Sequence, residues 1–182
     1  ANLIGSSPNG HHRYMANAGY ESTRNAVAKM LTQESGIGFT NDDILMTCGA
    51  AGALNVVFES ILNPKDEVII FAPYFGEFTF YIENHQGRPI VAQTDELFQP
   101  DLESLGDLIG PKTKAILINS PNNPTGVLYS ESTVSQLGAL ISKKETELSS
   151  EIFLISDEPY RRIVFDNLVY PHIFEHHDAS IA

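Results

Sequence analysis

Four groups of residues in this sequence have the types and spacing to act together on one small ligand. Asp157 and Tyr160 follow the apolar run Ile152-Phe153-Leu154-Ile155-Ser156. A carboxylate delivered by a buried strand can keep a basic ring nitrogen protonated by raising its pKa. A phenol three residues on can donate to a neighbouring ligand oxygen. Asn123 sits in Asn119-Ser120-Pro121-Asn122-Asn123-Pro124-Thr125-Gly126. An asparagine amide can donate to a phenolate oxygen, and the residue before a proline is held in extended backbone. Ala50 and Ala51 lie in Thr47-Cys48-Gly49-Ala50-Ala51-Gly52-Ala53-Leu54. Small side chains there let an anion approach backbone N–H groups at a helix N-terminus. Phe75 and Phe78, in Ala72-Pro73-Tyr74-Phe75-Gly76-Glu77-Phe78, offer flat rings that stack and exclude water.

Each group also has a plainer reading. Asp157 could cap a helix or turn, and Asn123-Pro124 could be a turn and nothing more. The small-residue run could be a tight strand-to-helix connection, and aromatic rings usually belong to a core. Position favours a shared site. Every group follows a strand candidate, and open α/β sheets bind ligands outside the carboxyl ends of their strands. Glu158 is read as solvent-facing or locally packed. His172, His176 and His177 are read as surface-loop residues, because their spacing matches no metal site and no acidic or cysteine cluster completes one. No metal is expected.

The positioning elements follow from periodicity. Apolar runs predict strands at 44–47, 68–71, 89–92, 114–118 and 152–156, with one more strand or hairpin at 163–165. Helical spacing predicts helices at 21–31, 53–62, 76–84, 102–109 and 131–147. Residues 1–20 read as loop-rich, punctuated by Gly5, Pro8, Gly10 and Gly19. Alternating strands and helices, with strands that are continuous apolar runs, imply a three-layer α/β/α fold with a mostly parallel sheet. About six or seven strands are expected, with Ala50, Phe75, Asn123 and Asp157 at one rim.

Composition narrows the partners. The chain of 182 residues fits a single domain spanning 1–182. A net charge of −12 argues against nucleic acid or an anionic membrane, which need clustered Lys and Arg. The single cysteine, Cys48, suits a reducing, cytoplasmic setting. No apolar run reaches the roughly 20 residues of a membrane span.

Taken in order, the motifs resemble those of class I/II aminotransferases, the aspartate aminotransferase-like, fold-type I enzymes that use pyridoxal 5'-phosphate (PLP). Asn123-Pro124-Thr125-Gly126 resembles the family's N-P-T-G, and Asp157-Glu158-Pro159-Tyr160 its D-E-x-Y. Pro73, Phe75 and Phe78 resemble its P-x-aromatic-x-x-aromatic, and Tyr14, Gly19 and Arg24 its Y-x4-G-x4-R. The resemblance implies that the amides of Ala50 and Ala51 bind the PLP phosphate and that Phe75 stacks on the pyridine ring. It implies that Asn123 and Tyr160 bond O3', that Pro124 follows a cis bond, and that Asp157 protonates the ring nitrogen. Tyr14 would reach the phosphate of a neighbouring subunit in a homodimer, and Arg24 would be structural. Ala51 carries no hydroxyl where many relatives do, so contact there would be through backbone alone.

The family's Schiff-base lysine follows the D-E-x-Y motif, and no lysine follows Tyr160 here. The chain is therefore expected to be the PLP-binding large domain in part, with a shortened N-terminal arm, without the small domain, and inactive by itself. No catalytic residue is assigned within it. The parent reaction would pass an amino group between an amino acid and a 2-oxo acid. Three alternatives stay open: a PLP-dependent carbon–sulfur lyase, an aminotransferase-like effector domain of a transcription regulator, and an unrelated nucleotide-binding α/β domain. The last lacks its glycine-rich fingerprint.

Overall fold

The computed structural model describes residues 14–182. The loop-rich reading of residues 1–13 therefore lies outside the described residues. Contacts divide the chain into two compact units that meet in sequence at Cys48 and Gly49.

The first unit is built on helix α1 (Glu21–Ser35), which ends at Gly36. Gly36 adopts φ 77°, a left-handed conformation that glycine enters without a Cβ penalty, and its N–H closes the last turn on Thr32 O. A 3-10 turn at Asn41–Asp43 is held by a reciprocal Thr40–Asp43 capping box. Arg24, expected to be structural, donates from Nη1 to Asn41 O at 2.5 Å and so ties the helix to the turn. The strand expected at 44–47 does not form. Met46 N donates to Ala18 O at 3.0 Å, but no ladder continues from it, and Leu45 and Met46 are exposed. An apolar run without a sheet edge to pair with stays irregular.

The second unit is a five-stranded, all-parallel sheet. Its elements run α2 (Gly49–Ile61), β1 (Glu67–Phe71), α3 (Glu77–Asn84), β2 (Arg88–Ala92), α4 (Leu102–Leu108), β3 (Thr113–Asn119), α5 (Glu131–Leu148), β4 (Phe153–Asp157) and β5 (Ser180–Ile181). The spatial order is β2-β1-β3-β4-β5. Five strands replace the six or seven expected. The 163–165 segment forms no ladder: Asp166 and Asn167 turn with φ 58° and 56°, and Leu168 N donates back to Phe165 O. The last strand, two residues beside Leu154 and Ile155, is too short for any periodicity to announce.

Side chains alternate along each strand, so the sheet buries both faces. Ile69, Phe71, Ile116, Ile118 and Leu154 pack with Leu105 of α4 and with Val134, Leu137 and Ile141 of α5. Val68, Ile70, Ala115, Leu117 and Ile155 pack with Leu54 and Phe58 of α2 and with Phe78 and Ile82 of α3. This is the three-layer α/β/α arrangement. Ile69, Ile116 and Leu137 are fully buried, and each such side chain stabilises the fold by about 1.5–3 kcal/mol. Asp101 caps α4 through Glu103 N and Ser104 N, and Ser130 caps α5 through Thr133 N. Among the described residues no helix is long and apolar enough to cross a membrane.

The chain steps from β1 to β2 on one side and then crosses back to β3 on the other. That reversal opens a crevice at the carboxyl ends of β1 and β3, where open sheets place ligands.

Candidate active site

The crevice is a cavity of about 240 Å³, and six of the seven residues singled out from sequence line it: Ala50, Ala51, Phe75, Asn123, Asp157 and Tyr160. The seventh, Tyr14, belongs to the first unit and is fully exposed. A larger polar cleft of about 630 Å³ beside α5 gathers none of these residues.

Helix α2 starts at Gly49, four residues earlier than its periodicity suggested. Ala50 and Ala51 are thus in its first turn, where backbone N–H groups have no intrahelical acceptor. Phe75 lies just ahead of α3, which begins at Glu77, and its ring meets Phe78 edge-to-face at 5.6 Å and 80°. Phe78 is buried in the core, so the outer ring is backed by a packed one.

The turn after β3 is closed by its own side chains. Asn122 Oδ1 accepts from Thr125 N (3.1 Å) and Thr125 Oγ1 (2.9 Å), while Gly126 N donates to Asn122 O (2.8 Å). The bonds before Pro121 and Pro124 are cis, the second as the resemblance implied. This turn carries Asn123 to the cavity.

Asp157 ends β4 and pairs in register with Asn119, which ends β3. Burial, and then the charge of Glu158, push the Asp157 carboxyl up to about 6. Glu158 turns away from solvent with its side chain 11% exposed, 3.9 Å from Arg161 Nε. It is locally packed, one of the two placements expected.

Three residues of the cavity escaped the sequence reading. Asn119 Nδ2 donates to Asp157 O (3.0 Å) and Asp157 Oδ2 (3.1 Å), and its Oδ1 accepts from Asn123 N (2.6 Å). The available signal was a polar residue ending an apolar strand, since a buried amide must find partners. Tyr81 and Glu77 also line the cavity, and the Tyr81 hydroxyl donates to Glu77 Oε2. That bond, and then burial, push Tyr81 up to about 12. Their i, i+4 spacing on α3 was the signal.

The three histidines are not the surface-loop residues expected. His177 is buried with Nε2 2.8 Å from Ile152 O, His176 Nε2 lies 2.8 Å from Glu131 Oε1, and His172 packs edge-to-face on Tyr170. His176 and His177 fasten the 172–177 segment to α5 and to the residue ahead of β4. Glu131, Glu175 and His176 bring one ligand atom each within 4.8 Å of one another, an acidic cluster that sequence spacing did not reveal.

The fold is a three-layer α/β protein with a cleft at its switch point, and that cleft gathers a ring, an amide, a carboxylate and an exposed helix N-terminus. The chain belongs to the family "Aminotransferase class I and II", whose pattern matches residues 5–180. It is 36% identical over 159 residues to a probable aspartate/prephenate aminotransferase of Thermus aquaticus, covering 86% of this chain and 40% of that protein. It is also 36% identical over 163 residues to an aspartate aminotransferase of Thermotoga maritima, covering 88% of this chain and 40% of the relative. A crystal structure of an aminotransferase from Eubacterium rectale superimposes with a TM-score of 0.91 at 35% identity, covering 99% of this chain and 47% of that one. The chain thus spans about 40% of the length of these curated relatives.

Proposed function

We propose that this chain is the PLP-binding part of an aminotransferase that passes an amino group between an amino acid and a 2-oxo acid. The observation that carries the reading is the meeting of Ala50, Ala51, Phe75, Asn123, Asp157 and Tyr160 around one cavity. The family is generally PLP-dependent, and the donor set fits that cofactor group by group. The first-turn amides at Ala50 and Ala51 suit a phosphate. Phe75 supplies a stacking face and keeps water from it. Asn123 and Tyr160 offer donors for a phenolate oxygen. Asp157 supplies the carboxylate for a ring nitrogen.

When bound, PLP supplies an electron sink for negative charge developing at the substrate α-carbon. The chain's own residues prepare for that. Asp157, with its carboxyl at about 6, is mostly ionised at neutral pH and would hold a proton on the cofactor's ring nitrogen. Asn123 and Tyr160 would orient the ring by its oxygen, and the first turn of α2 would anchor it by its phosphate. In the same reading Tyr14 reaches the phosphate of a second subunit in a homodimer.

The relatives named as aspartate and aspartate/prephenate aminotransferases support transamination over carbon–sulfur cleavage. The test is an assay of the full-length protein that carries these residues, with L-aspartate and 2-oxoglutarate. Steady oxaloacetate production supports the reading. Release of ammonia and pyruvate from a β-substituted amino acid, without oxaloacetate production, would replace it with the lyase.

A further inference from the structure

Asn119 is 4% exposed, yet it carries a full amide at the floor of the cavity. A buried amide left without partners is destabilising, so its two ends must be used. They are used on the two groups that face the ligand. The donor end reaches Asp157 O and Oδ2 at 3.0 and 3.1 Å, and the acceptor end takes the Asn123 N–H at 2.6 Å. We propose that Asn119 is the positioning residue of this site, whose single amide sets both the ionisation of Asp157 and the placement of Asn123. The proposal deepens the PLP reading and rests on it for its catalytic meaning.

The contact to Asp157 O fixes Asn119 against β4, and the contact to Oδ2 holds the carboxylate in one rotamer, because turning it away breaks that bond. A donor to the charged form also favours that form. Of the charged groups around Asp157, Glu158 pulls the opposite way. Glu158 is next in sequence, with Arg161 paired behind it, while Glu77, Tyr81 and Tyr160 line the same cavity. Burial and Glu158 both favour the protonated acid. The Asn119 amide is thus a neutral counterweight to burial and to Glu158. Its other end fastens the Asn123 backbone, while Asn122 grips Thr125 within the same turn. One side chain ties β3, β4 and the turn together where the ring's two polar edges would lie.

The test is a pH titration of the cofactor-free chain by NMR, following Asp157 Cγ and the Asn119 side-chain amide. In the unaltered chain both signals are expected to move with one midpoint. Asn119→Ala is expected to raise the Asp157 midpoint by about one pH unit, the worth of a hydrogen bond to a charged group. It is also expected to shift the Asn123 amide resonance. Asn119→Asp, the same shape with a second negative charge, is expected to raise the midpoint further. An Asn119 amide signal that ignores the Asp157 titration overturns the proposal without any substitution. So does a folded Asn119→Ala chain with an unmoved midpoint. None of these readouts involves PLP, so failure of the chain to bind PLP is a separate result that strikes the functional reading alone.

Discussion

Asn119 and Asp157 face each other across the last rung of the β3–β4 ladder, and the asparagine amide donates to both the main-chain oxygen and the carboxylate of the aspartate. The parallel register therefore brings the donor and the acid together: two strand ends that are 38 residues apart in sequence meet at one edge of the cavity.

The acid at this rung makes stability depend on pH. An aspartate whose carboxyl is raised to about 6 by burial binds its proton more tightly in the fold than in an unfolded chain, where about 3.9 is usual. Its contribution is whole below about pH 4 and is lost as pH rises through about 6. Asp157→Asn keeps the shape and removes that loss. The variant is expected to be more stable than the unaltered chain by about 2 kcal/mol at pH 7.5, with the gap closing near pH 4. Urea unfolding at the two pH values checks this, and a gap that does not change with pH contradicts it.

Two helical glycines should respond oppositely to the same substitution. A Cβ at Gly138 of α5 would land on the His176 carbonyl, whereas one at Gly106 of α4 meets only Leu140 Cδ1 at 3.8 Å. Gly138→Ala is expected to cost about 1–3 kcal/mol by overpacking. Gly106→Ala is expected to gain about 0.5–1 kcal/mol from helix propensity. Thermal melts of the two variants test whether the 172–177 segment is docked on α5 as described.

How far the sequence spoke for itself can be judged from single elements. Val68–Phe71 and Lys114–Ile118 were legible as buried strands because both faces of a parallel sheet are covered and the runs are apolar after Lys114 at the start of the second. Ile44–Thr47 has the same look but no ladder in the fold, since pairing is a tertiary fact that a short run does not encode. Six residues that line the cavity were legible because each stands beside a strand end or helix start with punctuation of its own. Asn119 was not, because its role lies in what it touches across the ladder. The histidines were misread for a similar reason: burial of His177 depends on Ile152 and Glu145, which are distant in sequence.

Among the described residues, no lysine lines the cavity. Incubation of the chain with PLP, borohydride reduction and peptide mapping are accordingly expected to label exposed positions such as Lys143 sparsely, with no single lysine modified in stoichiometric amount. Full labelling of one lysine within these residues would show that the chain supplies its own anchor.

Tyr14 offers a test of the homodimer reading. In the full-length protein, Tyr14→Phe removes one hydroxyl donor and is expected to weaken PLP binding by up to about tenfold, the worth of one hydrogen bond. An unchanged Kd removes Tyr14 from the phosphate site.

The central claim is that the cavity at the β1–β3 switch point holds PLP by its phosphate, its ring and its two polar edges. Titration of PLP into the isotope-labelled chain, read by backbone amide shifts, tests it most directly. Weak, saturable binding is expected, with the largest shifts at Ala50, Ala51, Phe75, Asn123 and Asp157 and with loss of saturation in Asp157→Ala. Shifts that spread over surface lysines and leave those five amides unmoved at millimolar PLP would contradict the account.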